Sequence, residues 1–165
     1  DLDAGVELAR QDLPGAGFDN TYAYSYGATT DIDFATDAGH LYVVYSTAAA
    51  AGRIVVSELN PATLTVLSTW TAATATKIDF ANTFIACGVL YGINSETANG
   101  PCFYCTDTTI DLAWNLASGA VSSPGTAFTS PGTSGYIGAV DYNPADGLIY
   151  VMRGGVMGQV QPSWN

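Results

Sequence analysis

The chain has 165 residues, 48% of them hydrophobic, enough to bury the core of one domain over residues 1–165. Four Lys and Arg stand against fifteen Asp and Glu, a net charge of −11, which repels phosphate backbones and anionic headgroups and argues against a nucleic-acid partner. No apolar run approaches the ~20 residues a membrane-spanning helix needs, so insertion by that route is not expected.

Helix formers are sparse, while Thr, Val, Tyr, Gly and Ser fill short alternating stretches, so an all-β fold is expected. In chain order the predicted strands are 30–34, 41–47, 53–59, 65–70, 83–87, 89–94, 110–115, 136–140, 148–152 and 156–161. Asn60-Pro61 and Asn143-Pro144 read as tight turns between antiparallel strands. The run Ala48 to Ala51, ended by Gly52, reads as a hairpin loop. The stretches 95–101 and 118–134 are rich in Ser, Thr, Gly, Ala and Pro and read as long surface loops.

A weak repeat organises these strands. Gly39-His40-Leu41-Tyr42, Gly88-Val89-Leu90-Tyr91 and Gly147-Leu148-Ile149-Tyr150 each set a glycine turn before a Leu/Ile-Tyr strand, with the tyrosines 49 and 59 residues apart. Such periods, with about four strands per unit, belong to propeller blades. About three blade cores are visible, fewer than a closed ring needs.

Several ordered fragments resemble one known family. They are Leu13-Pro14-Gly15-Ala16-Gly17-Phe18, Tyr24-Ser25-Tyr26-Gly27, Thr30-Asp31-Ile32-Asp33-Phe34 with Asp37, and Leu41 to Thr47. Ile54-Val55-Val56-Ser57 with Leu59-Asn60-Pro61, Thr69-Trp70, Ala81 to Gly88 with Leu90-Tyr91, and Val140-Asp141-Tyr142-Asn143-Pro144 continue the series. Together they resemble the olfactomedin domains over residues 5–160. The resemblance implies a five-bladed β-propeller of which this chain holds an incomplete set of about three blades. It also implies a secreted, extracellular module that works without catalysis, through contacts with other extracellular proteins or with copies of itself, in adhesion, matrix assembly, oligomers or filaments.

An acidic chain attracts cations, and Ca²⁺ takes six to eight hard oxygen ligands from carboxylates, amides and main-chain carbonyls. Asp31, Asp33, Asn82 and Asp141 have suitable side chains at the edges of separate blade cores. The resemblance implies side-chain ligation by Asp33, Asn82 and Asp141 and carbonyl ligation by Thr83 and Val140. Asp31 would lie close by, supporting these ligands or holding an adjacent Na⁺. Such carboxylates, buried together without a cation, could not all stay ionised, so folding and metal binding should be coupled.

Three cysteines are an odd number, so at least one lacks a partner within the chain. The resemblance implies that Cys87 forms a disulfide with a cysteine outside this segment. Cys102-Phe103-Tyr104-Cys105 departs from the family pattern. With His40 the only histidine, a zinc site lacks ligands, and a local or intermolecular disulfide is expected for Cys102 and Cys105.

Two other functions compete. A Ca²⁺-dependent propeller hydrolase or lactonase would use Asp31, Asp33 and Asp141 with His40 as base, although a solvent-facing imidazole is the ordinary reading of His40. A carbohydrate-binding module, with glycans as ligands, would use aromatic rows such as Tyr22, Tyr24 and Tyr26, although core packing is their ordinary role.

Overall fold

The computed structural model describes residues 5–25, 30–94, 108–131 and 137–163. It forms three antiparallel sheets with no α-helix among the described residues. The first contains β1 (Asp33–Asp37), β2 (His40–Tyr45), β3 (Arg53–Leu59) and β4 (Val66–Thr76) in chain order. A single 3-10 turn, Lys77–Asp79, leads to the second. There β5 (Phe80–Ala86), β6 (Val89–Asn94), β7 (Thr108–Asn115) and β8 (Val121–Ser122) follow in order, and β9 (Thr126–Phe128) also pairs with β7. The third holds β10 (Ile137–Asn143), β11 (Leu148–Arg153) and β12 (Val156–Val160). All-β sheets in sequential meander order are consistent with a propeller-like fold.

Each sheet begins with the hairpin that the repeat marks. Gly39, Gly88 and Gly147 close the β1–β2, β5–β6 and β10–β11 turns with φ of 86°, 72° and 74°. Glycine enters this left-handed region without the steric cost that a Cβ imposes. In the first two turns the preceding residues, Ala38 and Cys87, are also left-handed, at 48° and 52°.

The second sheet lies between the other two, which explains why all seven residues of β5 are buried. One core cluster joins it to the first sheet through Tyr42, Val44, Ile54 and Val56 against Ile85, Leu90, Leu112 and Trp114. Another joins it to the third, with Phe84 and Ile93 against Val140, Ile149 and Val151. Leu13 and Ala16 cover the outer face of the first sheet, over Val43, Val55 and Leu59. Strands buried on both faces lose the polar alternation that would otherwise mark them.

The expected boundaries shift where side chains take over backbone pairing. The first strand begins at Asp33, not residue 30. Thr30 Oγ1 accepts the amide of Tyr24 at 2.9 Å, and both oxygens of Asp31 accept main-chain amides, so these residues brace a loop. The fourth strand runs on to Thr76, paired to β3 through a register shift. The 118–134 stretch is not only loop: Val121 and Ser122 pair with β7, as do Thr126 to Phe128. Pro124, which has no amide to donate, separates these two short edge strands. The Asn-Pro turns and the 48–51 hairpin form as expected, with Asn60 Oδ1 accepting the amides of Ala62 and Thr63.

Candidate metal centre

The first strands of the three sheets, β1, β5 and β10, touch one another. Asp33 lies on β1, Asn82 and Thr83 on β5, and Val140 and Asp141 on β10, so the expected ligand set falls on these three strands. Two of them carry register irregularities beside the site, between Phe80 and Asn82 and between Ile137 and Ala139. Bulges re-aim side chains where a ladder meets a functional site.

Asn82 and Thr83 are buried, Asp33 is half-buried and Asp141 is the most exposed of the five. The Asp33 carboxyl is held above its ordinary range, chiefly because burial strips water from its charged form. Hydrogen bonds from Tyr24 and the Phe34 amide, and the charge of Lys77, oppose this only in part. Asp141 is raised too, first by desolvation and then by the charge of Asp33. The two carboxylates therefore lie close enough to repel. Among the described residues no group of three His, Cys, Asp or Glu side chains gathers. A cation here would draw on two carboxylates, one amide and main-chain oxygens, a hard-oxygen set that fits Ca²⁺ and is unsuited to soft metals.

Around these groups lies a network not foreseen from the sequence. Lys77, the only lysine of the chain, is fully buried at the start of the 3-10 turn. Its Nζ sits 3.8 Å from the centroid of the Tyr24 ring and donates to the carbonyls of Tyr22 and Thr30. Burial lowers its pKa to about 8, against the charges of Asp33 and Asp31 that hold the proton on. The Tyr24 hydroxyl lies 3.0 Å from Asp33 Oδ2 and 2.6 Å from Thr83 Oγ1. Asp31, also buried, accepts the amides of Asn20 at 2.8 Å and Tyr22 at 2.7 Å. Gly17 lies against it: a Cβ there would come 2.7 Å from Asp31 Oδ1. One signal for Lys77 was in view: a lone lysine in an Ala-Thr stretch of a chain with four basic residues. Arg153 is buried as well, and donates to Ser130 Oγ at 2.9 Å.

His40 is not brought to the carboxylates. It opposes Asp37 at the turn end of the β1–β2 ladder, whereas Asp33 opposes Val44 at the other end. Its ring is exposed and its Nδ1 bonds Glu58 Oε1 at 2.6 Å. The sugar-binding row is not a single exposed face, since Tyr24 is buried and Tyr22 half-buried; Tyr26 falls outside the described residues. Cys87 is exposed in the β5–β6 turn and has no disulfide partner among the described residues; Cys102 and Cys105 lie outside them. No described helix is long and apolar enough to cross a membrane.

Residues 1–162 match the model of the olfactomedin-like domain. Myocilin from Bos taurus is 37% identical over 150 residues, covering 91% of this chain and 29% of the bovine protein. Myocilin from Homo sapiens is 35% identical over 150 residues, covering 91% of the chain and 28% of the human protein. Felis catus myocilin is 37% identical over the same length, with 91% and 29% covered. The chain thus spans under a third of the length of these relatives.

Proposed function

The chain belongs to the olfactomedin-like domain family, and from that premise we propose that it is part of a secreted, Ca²⁺-stabilised protein-interaction module without catalytic activity. The observation that carries this reading is the placement of Asp33, Asn82, Thr83, Val140 and Asp141 on three touching strands from three sheets. Burial disfavours the charge of both carboxylates, and the charge of Asp33 adds to this at Asp141, until a cation joins them, so the ion and the fold support one another. The separation of His40 from these acids speaks against hydrolysis with His40 as base. Chelation should lower the melting temperature of the intact protein by at least several degrees, and Asp33→Ala should abolish that effect. A melting curve unmoved by excess chelator removes the metal.

The module belongs, in this reading, to a five-bladed propeller whose described sheets supply three blades. The remaining blades come from a segment outside these residues or from a second copy, and Cys87 pairs with a cysteine outside them. The apolar residues Val156 and Met157 on β12, 47% and 73% exposed, favour a contact at that edge. Size-exclusion chromatography separates the two sources: completion within one polypeptide gives a monomer, and completion by a second copy gives a larger species.

A further inference from the structure

We infer that Tyr24 is the positioning residue of this centre, a strut that fixes Asp33 of one sheet to Thr83 of the next and that is itself seated on Lys77. The inference rests on the Ca²⁺ reading above. Asp33 and Thr83 belong to different sheets and share no ladder. Their side chains meet at one atom, the Tyr24 hydroxyl, 3.0 Å from the carboxylate and 2.6 Å from the threonine Oγ1. A phenol has one proton to give. If it goes to the carboxylate, the Thr83 hydroxyl donates to the phenol, and a directed chain runs from β5 to β1.

The ring that carries this hydroxyl has little freedom. It is 1% exposed, its amide is bound by Thr30 Oγ1, and the Lys77 ammonium lies on its face. Lys77 also holds the carbonyls of Tyr22 and Thr30, so the same cation fixes the backbone on either side of the ring. Asp33 Oδ1 meanwhile accepts the Phe34 amide at 2.9 Å. The carboxylate is therefore fixed by one main-chain bond and one phenol bond before any ion arrives. A cation then loses less of its binding energy to ordering the ligand.

Tyr24→Phe in the intact protein keeps the ring on Lys77 and removes the strut. Its calcium Kd should rise about tenfold, the consequence of losing one hydrogen bond to a charged group. With Tb³⁺ in place of calcium, luminescence lifetimes in H₂O and D₂O count coordinated waters, and the variant should admit about one more, which a merely structural tyrosine would not cause. Thr83→Val breaks the other end of the strut and should weaken binding too, whereas Thr83→Ser restores it; this pair reads the same strut should Tyr24→Phe fold poorly. Wild-type calcium affinity and Tb³⁺ lifetime in Tyr24→Phe, or in Thr83→Val, overturn the inference. If wild type binds no calcium, it is the Ca²⁺ reading that fails, and the inference falls with it.

Discussion

Lys77→Met is expected to destabilise the intact protein by about 3 kcal/mol, the scale seen when one partner of a buried charge pair is removed. Methionine fills much of the same volume, so the loss is electrostatic and polar rather than a cavity. The ammonium gives the carbonyls of Tyr22 and Thr30 a donor, faces the Tyr24 ring, and balances the charges of Asp31 and Asp33. Without it the two carbonyls lose this donor and Asp33 has one favourable charge fewer. At about 2–4 °C per kcal/mol for a domain of this size, the melting temperature should fall by roughly 6–12 °C. The deficit should be larger in chelator than in calcium, because a divalent ion then supplies the missing positive charge. An unchanged melting temperature in chelator would show that the carboxylates do not depend on this lysine.

The second large effect expected of the proposed centre is competition between protons and calcium. Asp33 and Asp141 have folded-state pKa values above the ordinary 3.8. A carboxyl raised in this way binds more protons when folded, so it adds stability at low pH that is lost as pH rises through its folded value. In chelator these two groups therefore favour the fold on acidification. Calcium needs both ionised, so the stability it adds shrinks over the same window. The quantity to follow is the melting temperature in calcium minus that in chelator, measured from about pH 7 to about pH 4. Taking the difference cancels groups unrelated to the site, such as Asp146, whose carboxyl is lowered by the Tyr150 hydroxyl and the Leu148 amide. The difference should be greatest near neutrality and vanish near the bottom of the range, and Asp33→Asn should flatten it throughout.

Strand composition and the glycine repeat were enough to read the all-β class and the opening hairpin of each sheet, because a positive φ at Gly39, Gly88 and Gly147 is a local demand. β3 and β6 run over 53–59 and 89–94 as expected, since apolar runs there end at turn residues. The edge strands β8 and β9 were hidden, being two and three residues long and formed by pairing with β7 rather than by their own apolar content. The start of β1 was misplaced for a related reason: Thr30 and Asp31 suit a strand, but their side chains bind loop amides instead.

The candidate ligand types at Asp33, Asn82 and Asp141 were legible, the family resemblance added Thr83 and Val140, and the structure sets all five on touching strands. What holds them was not legible. Tyr24 looked like one member of an alternating aromatic row, and Lys77 was given no role, because burial and a contact 53 residues apart leave little trace in local pattern. Only tertiary packing converts a tyrosine and a lysine into a support for carboxylates on another strand.

The proposed calcium ion would join β1, β5 and β10. Equilibrium dialysis of the intact protein against micromolar calcium, with metal content read by mass spectrometry, tests it most directly. The account predicts one calcium bound per chain in the wild type and none in Asp33→Ala at the same free calcium. Wild-type protein that remains folded and retains no calcium even at millimolar concentration would contradict it.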